Sequence, residues 1–368
     1  MTSLLDELRG LSTVDCDTLD PEGKTSPSNP LTVPERLGPL GDCTSNQAIA
    51  YAELSKIAND GNPVYQQLII ESVEVAHWMF GKQSDATIEE LAVELMMVGL
   101  SLRMAPHTTG FLHVQTNPKH AYSAEKTIKN AERIVSHFRH LAPDFDPQRI
   151  CIKVPCTWEG LQACRQLAIS GITTLATIVF CLEQAMTAAE VGCRYVAPYV
   201  NELRVHFEQG YIDPNKDSAI NLCGQIQQSF ELSQWNRTTP QVVAASLTSI
   251  NEIMQLAGVK HITISPPLLA ELAATPAADW KGARPGGIFP TKLPEEASYE
   301  DQMHTLEHRN MGRYLVADEE VWRMKVTRSD EGRSEQKLIQ AINIFCDMQD
   351  KLEEIVREAD VLIQGGKA

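Results

Sequence analysis

The stretch Ile150-Cys151-Ile152-Lys153-Val154-Pro155-Cys156-Thr157-Trp158-Glu159-Gly160 decides how the rest of the chain is interpreted. It opens as a short apolar run with one lysine in the middle, and the run ends at Pro155. Thr157 has the position of a helix N-cap, with Glu159 in the first turn, where the helix dipole favours a carboxylate. Lys153 is therefore predicted near the C-terminal end of a buried strand, directly before a helix.

A lysine in a buried strand has two explanations. Burial disfavours the charged ammonium, and the neutral amine is the form that attacks a carbonyl group to make a Schiff base. In a βα-barrel the catalytic groups lie at the C-terminal ends of the strands, where Lys153 is predicted. The alternative is an edge-strand lysine whose aliphatic stem reaches water. The local pattern leaves both open.

The composition limits the class of protein. The chain has 368 residues, 43% hydrophobic and 22% charged, which is ordinary for a globular protein with a sizeable core. A net charge of −16 argues against nucleic acid or an anionic membrane as the main partner. No apolar run approaches the ~18 residues of a membrane span.

The termini and cysteines indicate a cytoplasmic protein. Residues 1–7 have no basic segment and no long apolar segment, so no signal peptide is expected. None of the nine cysteines forms a C-x-x-C pair, and several lie in apolar runs, as buried thiols do in a reducing compartment. No metal motif and no cofactor fingerprint occur, so neither a metal nor a cofactor is predicted.

Strand-like and helix-like segments alternate along most of the chain. Near-continuous apolar strands, each followed by a helix, favour a closed parallel (βα)8 barrel over a doubly wound open sheet, and no G-x-G-x-x-G supports the latter. The predicted strands are 13–17, 42–46, 110–115, 150–155, 171–180, 195–200, 241–246 and 261–265.

Three other segments complete a single predicted domain, 1–368. Residues 20–41 are rich in Pro, Gly and Ser and are predicted to be a loop insertion. Residues 275–333 are predicted to be an irregular excursion or a lid. Residues 334–363 are predicted to form a C-terminal helix whose apolar face, from Leu338 to Leu362, packs on the barrel or on a partner subunit.

Polar residues recur at the predicted strand ends. Any one of them has a purely structural explanation, as an N-cap, a turn former or a satisfied core group. Seven at the ends of consecutive strands are hard to explain by folding alone and indicate an active site. They are Asp17, Asn46, Gln115, Lys153, Thr177, Tyr199 and Ser246.

With these residues in place, the sequence resembles the transaldolase family, including its small relatives, the fructose-6-phosphate aldolases. The lysine segment and the segment around Tyr199 are the specific ones, and the similarity runs across most of residues 1–275 and returns at 334–356. The carrying segments are 8–17, Thr44-Ser45-Asn46, Ile152-Lys153-Val154-Pro155, Thr157-Trp158-Glu159-Gly160, 180–188, Ala197-Pro198-Tyr199-Val200-Asn201 and Ala244-Ala245-Ser246.

The resemblance implies a barrel that is circularly permuted relative to other Schiff-base aldolases. It implies Lys153 as the Schiff-base residue, Asp17 as a proton-transfer acid/base and Asn46 as a contact for the substrate. It also implies that Gln115, Thr177 and Tyr199 hold the catalytic water, as in the aldolase branch. Transaldolases carry a glutamate at the first of these positions and usually a phenylalanine at the last.

The departures from the family concern the substrate. Where the family binds a sugar phosphate with basic residues, this chain has Glu202 and Thr248, beside Ser246. At ~5 Å and an effective dielectric of ~20, two unit charges interact by roughly 3 kcal/mol, so a phosphate should bind badly unless Arg204 or an arginine of 275–333 compensates. Leu175 replaces an expected asparagine, which makes the pocket more apolar, and Gln47 replaces the usual proline.

We therefore expect a Schiff-base aldolase or transaldolase of specialised metabolism, acting on a small carbonyl compound that is not a normal sugar phosphate. One alternative is ordinary transaldolase, which moves a dihydroxyacetone unit between sugar phosphates, with sedoheptulose 7-phosphate and glyceraldehyde 3-phosphate as substrates. A second alternative is a barrel that has lost catalysis and only binds. A homodimer is also considered.

Overall fold

The computed structural model describes residues 2–21, 37–38, 40–80, 85–232, 239–289 and 315–366. Eight parallel strands close into a barrel in sequence order, which confirms the predicted fold class. They are β1 Thr13–Asp17, β2 Cys43–Thr44, β3 Leu112–Gln115, β4 Ile150–Pro155, β5 Thr173–Val179, β6 Tyr195–Pro198, β7 Gln241–Ala244 and β8 His261–Ile264.

Helices surround the barrel. They begin where the sequence places a cap: Ser123, Thr157 and Ser249 each accept a hydrogen bond from the backbone three residues on. The helices of the described residues are α1 Leu4–Arg9, α2 Gln47–Leu54, α3 Gln66–Phe80, α4 Ile88–Met104, α5 Ala124–Leu141, α6 Trp158–Ile169, α7 Leu182–Val191, α8 Lys216–Leu232, α9 Ile250–Gln255, α10 Pro266–Ala274, α11 Glu319–Arg328 and α12 Arg333–Gly366.

Side chains alternate between two environments along each strand, as the pleat requires. Ile152 and Val154 of β4 belong to the main core, between the barrel and the helices. Cys151 belongs instead to a separate cluster with Leu175, Tyr195, Ala197 and Val243, which fills the barrel interior. Lys153 follows Cys151 by two residues, so it too faces inward.

The segment 275–333 differs in part from the prediction. Residues 290–314 lie outside the described residues, but residues 319–328 form α11 rather than irregular chain. Trp322 packs against Trp158 of α6, with ring centroids 5.7 Å apart, and Arg323 pairs with Glu159 at 2.6 Å. These contacts cross 164 residues of sequence, so no local pattern could reveal them.

The C-terminal helix forms slightly longer than predicted, as α12. Its residues Leu338, Ala341, Ile342, Phe345, Met348, Leu352 and Val356 are buried, as expected for one apolar face. Leu362 was expected on that face but is 76% exposed. Residues 334–345 of α12 are called the roof below, because they contact the C-terminal ends of the strands.

The predicted loop insertion 20–41 is described only in part. Of the predicted loop 20–41, residues 22–36 and 39 lie outside the described residues, while Leu37 and Leu40 are buried. Ser249 caps α9 through its hydroxyl, but Glu252 does not return the second hydrogen bond of a capping box. Glu252 turns instead to Thr248 and Asn201.

No helix of the described residues combines the length and the apolar character that crossing a membrane requires. All nine cysteines are free thiols, and eight of them are buried.

Candidate active site

Lys153 lies inside the barrel near the C-terminal end of β4. The residue is 2% exposed. Its Nζ forms no ion pair and no hydrogen bond with the described residues. Lys337 of α12 differs, because its Nζ lies 2.9 Å from Asp213. In the strand register Lys153 is flanked by Gln115 on β3 and Leu175 on β5. A buried amine without a counter-ion is available for chemistry rather than for stability.

Asp17 ends β1 on the same inward face. Its Oδ1 accepts a hydrogen bond of 2.6 Å from the Thr44 hydroxyl, which in turn lies 2.7 Å from the Thr263 hydroxyl. Asp17 forms no ion pair with the described residues, and its carboxyl group is held by the Thr44 hydroxyl. Such a group can accept or return a proton.

Asn46 follows β2 and caps α2. Its Oδ1 accepts from the backbone N–H of Ile49 at 3.0 Å. The side chain is thereby fixed, and its Nδ2 stays unbonded within the described part of the chain. Asn46 can therefore cap α2 through its Oδ1 and contact a substrate through its Nδ2.

Gln115 ends β3 and faces inward, because Leu112 and Val114 belong to the outer core. Its Nε2 donates to the Gln47 Oε1 at 2.8 Å, and the Gln47 Nε2 donates to the Thr116 carbonyl at 3.1 Å. The Gln115 Oε1 is buried and has no partner among the described residues.

Thr177 lies on β5 with its hydroxyl buried and without a partner in the described residues. The register between β5 and β6 shifts between Ala176 and Val179, and Ile178 has a φ of 54°. A β-branched residue in the left-handed region is strained, and such strain is concentrated at functional sites. The irregularity directly follows Thr177.

Tyr199 lies just beyond β6, under the roof. Its ring packs edge to face on Phe180, with centroids 6.0 Å apart, and both rings join Leu338, Ile342 and others in one buried cluster. The roof is pinned there by the Ser334 hydroxyl, which donates to the Phe180 carbonyl at 3.1 Å. The mouth of the barrel is therefore covered by apolar groups of α12.

Ser246 follows β7 and also has a left-handed backbone, with a φ of 60°. Its carbonyl accepts from Asn201 Nδ2 at 2.8 Å, and its hydroxyl lies 2.9 Å from His206 Nε2. His206 was not identified from the sequence. It lies in the turn Leu203–His206 after β6, and nothing local distinguishes it from a surface histidine.

Glu202 does not present a free charge to the barrel mouth. Its carboxylate accepts hydrogen bonds from the Tyr211 hydroxyl and from Gln340 Nε2, the latter at 2.8 Å. Its backbone N–H donates to Asp213 at 2.8 Å, and Asp213 pairs with Lys337 of the roof. Glu202 therefore helps to anchor the roof, and its place among the substrate-binding residues stays a prediction.

Thr248 is exposed, and its hydroxyl donates to Glu252 at 2.9 Å. Leu175 is fully buried in the interior cluster, below the level of the strand ends. Arg204, one of the cations that could have compensated for the missing basic residues, pairs with Glu208 at 2.6 Å. Arg284 is exposed, and its neighbour Ala283 contacts Asn251 on the outside of α9.

Beneath the lysine lies a second polar group that the sequence analysis missed. We call Asp15, Asp42, His113 and His261 the floor; Asp15 and His113 precede the strand-end residues Asp17 and Gln115 by two positions. His261 Nδ1 lies 2.9 Å from Asp15, and His113 Nε2 lies 2.9 Å from Asp42. The Asp42 N–H also donates to Asp15 at 2.8 Å.

The floor holds its charges by mutual pairing. Burial raises the pKa of Asp15 despite its hydrogen bond to His261. Desolvation opposes the imidazolium form of His261, but the hydrogen bond to Asp15 and the negative charges of Asp15 and Asp42 together outweigh it and raise the pKa of that histidine. At Asp42, desolvation is outweighed by the hydrogen bond and charge of His113 together with the backbone hydrogen bond from Phe111, so its pKa is lowered.

The comparisons with known proteins agree with this geometry. A family profile described as Transaldolase/Fructose-6-phosphate aldolase matches residues 31–355. A transaldolase of Alteromonas mediterranea is 27% identical over 363 residues, covering 97% of this chain and 99% of that protein. A transaldolase of Xanthomonas euvesicatoria pv. vesicatoria is 30% identical over 273 residues, covering 74% and 78%. A transaldolase of Gloeobacter violaceus is 27% identical over 279 residues, covering 75% and 66%.

A closed parallel barrel with a buried, inward lysine on its fourth strand, together with these relatives, defines an enzyme of the class I aldolase type. The chain belongs to the transaldolase/fructose-6-phosphate aldolase family.

Proposed function

We propose that this enzyme makes or breaks a C–C bond next to a ketone through an imine on Lys153, and that its substrate is not a normal sugar phosphate. The observation that carries the proposal is the Lys153 amine, 2% exposed and without a counter-ion among the described residues. Lys337 provides the contrast, because it is also buried but is neutralised by Asp213. A scaffold has no need of an unneutralised amine in its interior.

The reaction begins at the Lys153 nitrogen. The neutral amine forms a bond to the ketone carbon, and the proton that the nitrogen then loses passes to the ketone oxygen, which becomes the hydroxyl of a carbinolamine. That hydroxyl takes up one further proton and leaves as water, so the nitrogen becomes an iminium. The electron pair of the neighbouring C–C bond then flows toward the iminium and leaves an enamine.

Asp17 is proposed to move the proton of this cleavage. As the C–C bond breaks, the hydroxyl on the departing carbon loses its proton to the Asp17 carboxylate and becomes an aldehyde. The Thr44 hydroxyl, which is itself hydrogen-bonded to the Thr263 hydroxyl, holds the carboxyl group without neutralising it. Asn46 is proposed to contact the bound substrate through its Nδ2.

The water consumed and released at the imine is proposed to be held by Gln115, Thr177 and Tyr199. Two of these residues carry buried polar atoms that lack a protein partner, the Gln115 Oε1 and the Thr177 Oγ1. Buried polar atoms are nearly always satisfied, so two such atoms in one layer of the barrel support a role in binding a polar reactant.

The preference against phosphate rests on the charges around the mouth. Within the described ranges, the nearby cations Lys337, Arg204 and Lys216 are engaged by Asp213, Glu208 and Glu252, the last at 3.5 Å. Thr248 donates to Glu252, which leaves an anion where the family has a cation. A substrate phosphate would have to displace these carboxylates from their cations. A substrate whose corresponding end carries a hydroxyl group needs no cation there. Ser246 and His206 offer hydroxyl and imidazole groups for such an end.

Ordinary transaldolase is the second candidate function. It is favoured by the name that the relatives carry and by the presence of Lys153, Asp17 and Asn46. Gln115 and Tyr199 in place of glutamate and phenylalanine, and the lack of a free cation at Ser246 among the described residues, argue against it. A non-catalytic barrel is disfavoured by the unneutralised lysine.

The cysteines support a location for this activity. Nine free thiols, eight of them buried, suit a reducing compartment, and we propose the cytoplasm. Because the proposed substrate is not a normal sugar phosphate, we also propose a role in specialised rather than central metabolism. The homodimer stays a prediction.

The test is intact-mass analysis after borohydride reduction in the presence of dihydroxyacetone or of fructose 6-phosphate. The wild type and Lys153→Ala are compared. An adduct with dihydroxyacetone that depends on Lys153, without an adduct from the sugar phosphate, is the expected result. An adduct with fructose 6-phosphate of equal or greater yield would favour the ordinary transaldolase. No adduct from a broad panel of ketones would contradict the imine mechanism itself.

A further inference from the structure

The position directly after Asn46 carries a buried glutamine whose role is not explained by the fold. Gln47 is the first residue of α2 and is 1% exposed. The first helical position needs no side-chain amide, and proline is favoured there because its missing N–H would be unbonded in any case. The helix cap is already provided by Asn46.

We propose, on the basis of the proposed imine function, that Gln47 is a positioning residue that fixes the amide of Gln115 with its nitrogen on Gln47 and its oxygen left to accept a hydrogen bond. The hydrogen bonds determine both amide orientations. The Thr116 carbonyl can only accept, so the Gln47 nitrogen must face it, at 3.1 Å. The Gln47 oxygen therefore faces Gln115 and accepts from its nitrogen at 2.8 Å.

The oxygen of Gln115 is consequently the atom left over. It is buried and unpartnered among the described residues, on a side chain that faces into the barrel. Gln115 lies opposite Lys153 in the register of β3 and β4. Rotating this amide by half a turn would set oxygen against oxygen at Gln47 and leave a buried acceptor unpaired, which costs ~1–3 kcal/mol.

The chemical consequence is that Gln115 acts only as a hydrogen-bond acceptor. It can orient a water molecule or the carbinolamine hydroxyl through the O–H of that group, and no bond at Gln115 itself is made or broken. An inverted amide would offer donors instead and would hold the same reactant in a different orientation. Gln47 thus selects one of two orientations that Gln115 could otherwise adopt with similar ease.

The experiment is a double-mutant cycle on the rate at which the reduced dihydroxyacetone adduct forms on Lys153. The variants are Gln47→Met, Gln115→Met and both together, since methionine keeps the side-chain length and removes the hydrogen bonds. We expect Gln47→Met to slow adduct formation about tenfold, the effect of losing one well-placed hydrogen bond. In the Gln115→Met background, Gln47→Met should have no further effect on the rate.

Gln227→Met is the matched control. Gln227 is another buried glutamine, whose amide bonds the Gly258 carbonyl at 2.9 Å and the Lys260 N–H at 2.8 Å, away from the strand ends. It should lose stability but keep the wild-type rate. Gln47→Pro is the second variant should Gln47→Met fail to fold, because proline suits the first helical position.

Each outcome decides one question. A rate unchanged in Gln47→Met, or an effect that is fully retained in the Gln115→Met background, overturns the positioning role. A rate lowered equally in Gln227→Met would also overturn it, because general destabilisation would then suffice. A wild type that forms no Lys153-dependent adduct shows instead that the proposed function is wrong.

Discussion

The barrel interior contains two polar layers that differ in one respect. In the floor, each carboxylate has a histidine partner at 2.9 Å. Two residues beyond His113, Gln115 has a buried Oε1 without a protein partner among the described residues, as has the Thr177 hydroxyl, and Lys153 has no counter-ion there. The two layers are equally buried, so burial alone does not identify a site. The layer whose amine has no counter-ion is the one available for chemistry, whereas the carboxylates of the floor are paired with histidines, although the His113 Nδ1 is also buried without a partner among the described residues.

The largest contrast is expected at the two buried lysines. Lys153→Met should abolish borohydride-trapped adduct and raise the free energy of unfolding by about 1 kcal/mol, because it removes an unneutralised amine from the interior. Lys337→Met should instead lower that free energy by about 3 kcal/mol, because it leaves Asp213 buried without its cation. Urea unfolding and intact mass provide the two readouts. Equal stability losses in the two variants would show that Lys153 has a structural partner after all.

The floor should respond to mutation through stability. His261→Leu leaves the Asp15 carboxylate buried and unpaired and should lower the free energy of unfolding by about 3–5 kcal/mol. Adding Asp15→Val removes that charge, so the double variant should lose clearly less than the sum of the two single losses, as measured by urea unfolding. Additive losses would mean that the pair is not coupled and that the proposed difference between the layers does not hold.

The floor residues should also determine how the stability of the protein depends on pH. The pKa of His261 is higher in the folded state than in the unfolded state. The protonated histidine therefore stabilises the fold fully below the unfolded-state pKa of about 6.5, and this stabilisation is lost as the pH rises through the folded-state pKa. The raised pKa of Asp15 has the same sign. Wild type should therefore lose more stability than His261→Gln between neutral and alkaline pH. Parallel curves for the two proteins would exclude a protonated His261.

The smallest effect is expected from restoring one cation at the mouth. Thr248→Arg places a guanidinium beside Glu252, whose carboxylate now takes the Thr248 hydrogen bond at 2.9 Å. Much of the new charge should be neutralised there, so the yield of adduct with fructose 6-phosphate should rise only about threefold, less than 1 kcal/mol. Combining it with Glu252→Gln should raise the yield further. No gain in the combined variant would place the phosphate-binding end elsewhere.

Local sequence was enough to predict the barrel and its lysine. The run Ile150–Pro155, the proline that ends it and the Thr157 cap are all contained in a few residues, and the structure has each of them as expected. The polar strand ends were predictable for the same reason, because strand position alone places them at one end of a parallel barrel.

What the sequence could not provide were partners distant along the chain. The sequence does not reveal that the Glu202 carboxylate accepts a hydrogen bond from Gln340, because the two residues lie 138 positions apart. Asp15 and His261 are separated by 246 residues and become neighbours only when β1 and β8 close the barrel. Gln47 could be read as a departure from the family pattern, but its contact with Gln115 depends on how β3 packs beside α2.

The separation between barrel and roof has a consequence for synthesis. The last strand ends at Ile264, whereas the roof begins with Ser334, some seventy residues later. As the chain leaves the ribosome, the eight strands can be complete while α12 is still unmade. During that interval the amine of Lys153 lies in an uncovered barrel, open to the reactive carbonyl compounds of the cell. The order of the chain thus makes the roof the last part of the barrel mouth to form around the lysine.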